Sequence, residues 1–82
     1  MDTVSGLQEF VTTVVAMLAD EPDRAAVTRR ELGKRTVMEI RVAEKDMPRL
    51  LGRGGNTIMA IRNLAAAAAV RDGLDVGVEV ME

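Results

Sequence analysis

The sequence predicts an α+β domain with the element order α-β-β-α-α-β, in which helices cover one face of a mixed three-stranded sheet. Three observations lead to this fold: an apolar helical stripe near the N-terminus, two segments of alternating apolar residues, and a glycine cluster between two further helical segments. The 82 residues, of which 48% are hydrophobic, are enough for one small core. We therefore expect a single domain over residues 1–82.

The first helix is predicted over residues 4–19. Phe10, the only aromatic residue, lies beside the apolar stripe and is interpreted as filling the core. Residues 20–23 include a proline, and the residue before a proline avoids the α conformation, so the helix is expected to end there. The stripe itself has the spacing of one helical face and consists of Leu7, Val11, Val14, Val15 and Leu18.

Residues 25–32 and 37–43 are predicted to form an antiparallel hairpin with its turn at residues 33–35. One face of the second strand is expected to be buried and the other hydrated, because apolar and charged residues alternate along Met38, Glu39, Ile40, Arg41 and Val42. We interpret the basic residues around the turn as a solvated tip, with an auxiliary phosphate contact as the alternative: Arg29, Arg30, Lys34 and Arg35.

A short helix is predicted over residues 47–51, with Asp46 as its N-cap and Gly52 at its end. A long helix is expected from Ile58 to the sequence Asp72-Gly73, capped by Asn56 or Thr57. Its buried face is predicted to comprise Ile58, Ile61, Leu64, Ala65 and Ala68. A second apolar stripe on the other side, Met59, Ala66 and Val70, predicts contact with a partner chain. The alternative is that Ala66 and Ala67 occur there only as good helix formers.

The last strand is predicted from the alternation of Val76, Val78 and Val80. Two helices separate it from residues 37–43, and such a crossover is right-handed and joins parallel strands.

The glycine cluster, Gly52-Arg53-Gly54-Gly55, has more glycines than a turn between two helices requires. A simple turn is the alternative, but a ligand-binding loop is the preferred interpretation. The helix that follows would direct its free N–H groups at the loop, and such a terminus attracts anions.

The net charge of −2 conceals a strong segregation of charge. Residues 1–23 carry five acidic and no basic side chains, and residues 72–82 carry four acidic and no basic ones. Residues 47–71 carry four arginines and no carboxylate. The local field around the glycine cluster should therefore favour an anion.

Several functional classes lose support. The chain has no cysteine and no histidine, which removes the usual general base and the commonest metal ligands, so we expect no metal, no cofactor and no enzyme activity. The glycine cluster lacks the lysine and spacing of a phosphate-binding P-loop. No apolar run approaches the ~18–20 residues of a membrane span, and a soluble, cytoplasmic protein is expected.

Residues 43–62 resemble the short helix, GxxG loop and following helix of the KH domain of type II. The closest resemblance is to the small bacterial RNA-binding proteins of the KhpA family, and it covers nearly the whole chain. A GxxG sequence alone is weak evidence, but here an aliphatic pair precedes it, a regular helix follows it, and strands lie on both sides. The resemblance implies a core βααβ unit over about residues 36–82.

In that family the GxxG loop clamps the backbone of a single strand of about four nucleotides. The resemblance implies this role for Gly52, Arg53, Gly54 and Gly55, with Asn56 standing where relatives often have a basic residue. Flanking phosphate contacts are expected from Arg49 and Arg62. The bases would lie along an aliphatic groove, although core packing is the alternative for its members, which are Val42, Leu51, Ile58 and Ile61.

The resemblance implies a single-stranded RNA-binding protein that acts as an RNA chaperone or post-transcriptional regulator. It also implies a protein partner, either a second copy or a KH protein of the KhpB (Jag-like) type. The alternative from a different class is a protein-interaction module that kept the fold and lost RNA binding. No membrane or small-molecule partner is expected.

Overall fold

Three helices and three strands follow one another in the predicted order in the computed structural model, which describes residues 2–82. Short turns of 3-10 helix connect several of them. The elements are α1 (Thr3–Leu18), β1 (Ala26–Leu32), β2 (Arg35–Arg41), α2 (Met47–Leu51), α3 (Asn56–Arg71) and β3 (Asp75–Val80). None of the helices within residues 2–82 is long and apolar enough to cross a bilayer.

The three strands form one mixed sheet in the order β1-β2-β3. β1 and β2 are antiparallel, with Val27 opposite Ile40, whereas β2 and β3 are parallel, with Met38 opposite Val78. The predicted fold class and strand directions are therefore confirmed. The hairpin turn is one residue shorter than predicted, because Arg35 already pairs with Leu32 as part of β2.

The core lies between the helices and one face of the sheet. The stripe of α1 is confirmed, since Leu7, Val11 and Val15 are buried while Val14 and Leu18 pack at its edge. α3 presents a different face from the predicted one, because Ala69 is buried in place of Ala68.

Leu64 is 57% exposed, so its assignment to the buried face of α3 was also wrong. The buried positions of α3 are Ile58, Ile61, Ala65 and Ala69, a stripe that is rotated away from Leu64. The two alanines in this stripe leave room for the helix backbone to lie close to the sheet.

Two further predictions fail for reasons of geometry. Phe10 is 42% exposed, because its position on α1 is turned by about 100° from that of buried Val11. Glu39 was expected to be hydrated but is only 9% exposed. It lies on the central strand, where side chains of both neighbouring strands flank it, and its carboxylate is 3.7 Å from the guanidinium of Arg30.

Candidate nucleic-acid interface

The loop between α2 and α3 is a single tight turn built on three glycines with positive φ angles. Gly52 has φ 78° and ψ 171°, a combination that is essentially restricted to glycine. Gly54 and Gly55 have φ 63° and 78° and lie in the left-handed region. The N–H of Gly52 donates to the carbonyl of Pro48 at 2.9 Å, and the N–H of Gly55 donates to the carbonyl of Gly52 at 3.1 Å. These two hydrogen bonds hold the turn together through its own backbone.

Gly52 is also required by its surroundings. A β-carbon at this position would lie 2.8 Å from the backbone nitrogen of Thr57 and 2.7 Å from its β-carbon. By contrast, no atom of residues 2–82 lies within 4 Å of a β-carbon placed on Gly54 or Gly55, apart from their chain neighbours. The first glycine therefore lets the loop pack against α3, while the other two leave an open backbone surface.

The N-terminus of α3 has no side-chain cap, contrary to the predicted role of Asn56 or Thr57. Gly55, in left-handed conformation, precedes a helix that begins at Asn56, two residues earlier than expected, which places Asn56 and Thr57 inside the first turn. In residues 2–82 no side chain accepts a hydrogen bond from the backbone of this turn. The N–H of Asn56 donates to the carbonyl of Arg53, and the positive end of the helix dipole faces the loop without a side-chain acceptor in this part of the chain.

The three arginines predicted to contact phosphate differ in their present partners. Arg53 is exposed and makes no ion pair or side-chain hydrogen bond with the described part of the chain. Arg49 is paired with Asp20, with Nη1 2.7 Å from Oδ1. Arg62 donates through Nε to the carbonyl of Val78 at 2.9 Å, which covers an acceptor on the outer edge of β3.

Asp46 was predicted to cap α2 but binds elsewhere. Its side chain, 2% exposed, accepts the backbone N–H groups of Asp20 at 3.0 Å and Glu21 at 3.1 Å. Burial by itself raises the pKa of the Asp46 carboxyl, but these two N–H groups, with the charges of Lys45 and Arg49, outweigh it and hold the pKa below its usual range. The carboxylate thereby ties the end of α1 to the start of the helix that leads into the loop.

The four residues predicted to line an aliphatic groove divide into two pairs. Ile58 and Ile61 are each 4% exposed and pack in the core, which is the alternative that the sequence left open. Leu51 is 37% exposed, and Val42 is partly buried at the edge of the core. Only the second pair is accessible to a ligand.

Leu51 and Val42 open onto two adjoining cavities of about 290 and 270 Å³ beside α2. Met47 and Glu82 line both cavities and connect them, and Val80 completes the wall next to Leu51. Sequence reasoning missed Met47 and Val80 as groove residues. The spacing of four between Met47 and Leu51, which places them on one face of α2, was the available signal.

A larger groove of about 500 Å³ runs between α3 and the outer edge of β3. Arg62 and Asn63 line one wall, and Arg35 lies across Gly77 on the other, held by Asp75 at 2.5 Å. Gly77 has no side chain, so the guanidinium of Arg35 can lie directly over its backbone. A β-carbon at position 77 would lie only 2.9 Å from the guanidinium carbon. Of the residues in this groove, the sequence predicted a ligand contact for Arg62 and considered one for Arg35.

The sequence profile of the family described as KhpA/KhpB, KH domain, matches residues 8–80. The chain belongs to this family. Among curated relatives it is 33% identical to the RNA-binding protein KhpA of Chlamydia trachomatis over 93% of this chain and 97% of that protein. It is 38% identical to the RNA-binding protein KhpA of Leifsonia xyli over the same shares of each.

A solved structure gives a similar result for the fold. A variant of Aquifex aeolicus Era bound to GDP.AlF4- superposes with a TM-score of 0.60 and 26% identity. The match covers 90% of this chain but 29% of that one, so it concerns one part of the larger protein. The family profile and the KhpA relatives confirm the resemblance to the KH family on which the site prediction was based.

Proposed function

We propose that this protein binds single-stranded RNA and holds the sugar-phosphate backbone at residues 52–55. The observation that carries the proposal is the conjunction, on one side of the loop, of an open, glycine-built backbone with an Arg53 side chain and an α3 start that no side chain of residues 2–82 pairs or caps. The curated relatives are named RNA-binding proteins, which supports the same activity here.

The loop supplies what a phosphate requires. The guanidinium of Arg53 offers several N–H donors and a permanent positive charge, and the first N–H groups of α3 add a fixed partial charge. Gly54 and Gly55 carry no side chain that would keep the nucleic acid from the backbone. Binding would therefore depend on a local positive field in a protein whose net charge is −2.

The bases would lie against aliphatic side chains. Accessible apolar residues beside the loop include Leu51, Met47, Val42 and Val80, and none of the residues lining the two cavities beside α2 is aromatic. This composition differs from the aromatic platforms of RRM domains and suits the aliphatic groove of a KH domain. We expect modest base preference, since apolar contact discriminates bases less than paired hydrogen bonds do.

The purified protein is expected to bind an unstructured oligoribonucleotide more tightly than a duplex RNA of the same length, because only unpaired bases can enter the groove. Fluorescence anisotropy with both labelled RNAs would measure this. A tighter complex with the duplex, or no binding of either RNA at low salt, would contradict the proposal and favour a protein-interaction module.

The biological role that fits these properties is that of an RNA chaperone or post-transcriptional regulator acting in the cytoplasm. Such a role requires binding and release of RNA and no covalent chemistry. We also propose that the domain spans residues 1–82 and that its core unit spans about residues 36–82.

We also propose that the exposed stripe of α3, formed by Met59, Ala66 and Val70, binds a second KH domain. Met59 is 53% exposed and Val70 is 71% exposed, so the stripe is unpartnered within the described chain. The partner is a second copy or a KhpB-type protein, a choice supported by the joint KhpA/KhpB description of the family. Small Ala66 would let a partner helix approach closely.

Sedimentation is expected to show self-association, or a complex with a second KH protein, that the substitution Ala66→Glu abolishes. Ala67→Glu is the matched control, because Ala67 is also exposed but points about 100° away from Ala66 on the helix. A monomer at high concentration that also fails to bind a second KH protein would exclude this interface, and so would equal effects of both substitutions.

A further inference from the structure

The basic residues on the N-terminal side of the loop are paired with carboxylates of the segment that connects α1 to β1. Arg49 contacts Asp20 at 2.7 Å, and the ammonium of Lys45 lies 4.0 Å from the carboxylate of Glu21. Arg49 belongs to α2 and lies three residues before Gly52. The cation nearest to the loop on this side is thus already neutralised by the protein itself.

These carboxylates do not belong to a freely moving segment. The backbone N–H groups of Asp20 and Glu21 both donate to the buried carboxylate of Asp46, at 3.0 and 3.1 Å. Asp46 immediately precedes α2, so one buried group fixes the acidic pair relative to the helix that carries Arg49. Because these hydrogen bonds hold the backbone of Asp20, pairing of its carboxylate with the guanidinium has to restrict only the two side chains.

We propose that Asp20 competes with RNA phosphate for Arg49 and thereby lowers the affinity of the loop for RNA, an inference that rests on the proposed function. A phosphate that approaches Arg49 must first displace the Asp20 carboxylate, and it is also repelled by that carboxylate. Arg53, which lacks such a competitor among residues 2–82, contributes its charge in full. The arginine on α2 is therefore a latent phosphate contact.

The substitution Asp20→Asn tests this directly. It removes the charge but keeps the backbone N–H that binds Asp46, so the fold is expected to remain intact. One additional phosphate contact on a single strand adds about 0.7 to the logarithmic salt slope. Over the decade of salt from about 1 M down to about 0.1 M, the affinity of Asp20→Asn for RNA therefore rises about fivefold more than that of the wild type.

Asp23→Asn is the matched control. It makes the same change in net charge three residues away, and Asp23 forms no ion pair in the part of the chain that the structure describes. We expect it to change the affinity much less than Asp20→Asn does. In addition, Asp20→Asn should give no gain when combined with Arg49→Gln, because the released guanidinium is then absent.

Anisotropy titrations of an unstructured oligoribonucleotide at several salt concentrations give these affinities and slopes. Equal effects of Asp20→Asn and Asp23→Asn, or a gain that survives Arg49→Gln, would overturn the competition. A second readout does not depend on RNA: titration with inorganic phosphate should shift the side-chain N–H resonance of Arg49 in Asp20→Asn at lower concentrations than in the wild type. If the wild type binds no RNA, the proposed function fails, while the phosphate titration still decides the role of Asp20.

Discussion

Replacing Arg53 and Gly54 together by aspartate is expected to abolish RNA binding while leaving the protein folded. The change turns one positive charge into two negative ones at the loop, a difference of three charges. If each is worth the roughly fivefold effect of one phosphate contact at about 0.1 M salt, the affinity falls by about 100-fold. Both side chains are placed on an exposed turn, where a β-carbon on Gly54 meets no atom of residues 2–82 within 4 Å.

The matched control replaces the same two residues by asparagine. Asparagine has nearly the shape of aspartate and tolerates the left-handed conformation of Gly54 about as well, so the backbone cost is the same in both variants. Only one charge is lost, and we expect about a fivefold loss of affinity. Binding by the aspartate variant as tight as that of the asparagine variant, with both shown to be folded by circular dichroism, would refute the assignment of the loop.

The fold could be predicted because most of its helices and strands follow from the spacing of apolar residues that lie close together in the sequence. The spacing of Leu7, Val11 and Val15 identifies the buried face of α1, and the handedness of crossovers fixes β3 as parallel to β2. The errors concern positions at the edge of a pattern. Leu64 and Phe10 are apolar and lie next to buried stripes, and only the packing angle of α1 and α3 determines that they face outward.

The backbone conformation of the candidate site could be predicted from the sequence, but the partners of its side chains could be predicted less well. Three glycines within four residues indicate a special backbone conformation, and all three glycines do have positive φ angles. The partners of Asp46 and Arg49 lie 26 and 29 residues away in sequence, and no local pattern connects them. A charge count over residues 47–71 therefore overestimates the positive field, since it includes an arginine that a distant carboxylate neutralises.

The three glycines of the loop are expected to differ sharply in how they tolerate alanine. Gly54→Ala should cost about 1 kcal/mol, because the residue must adopt a left-handed conformation but its new β-carbon has no non-neighbouring atom of the described chain within 4 Å. Gly52→Ala should cost about 3 kcal/mol or more, because φ 78° with ψ 171° is strained for any other residue and the new β-carbon lies 2.8 Å from the Thr57 backbone nitrogen.

Thermal unfolding measures this difference. At about 4–8 °C per kcal/mol for a domain of this size, Gly52→Ala is expected to lower Tm by about 12–24 °C, and Gly54→Ala by about 4–8 °C. Both the side chain and the backbone nitrogen of Thr57 obstruct the new β-carbon, so a change of the Thr57 rotamer alone gives no relief and the loop would have to move away from the helix N-terminus that it faces. RNA affinity of Gly52→Ala, measured well below its Tm, should then fall even though no charge has changed. Similar Tm values for the two variants would show that Gly52 does not hold the loop against α3.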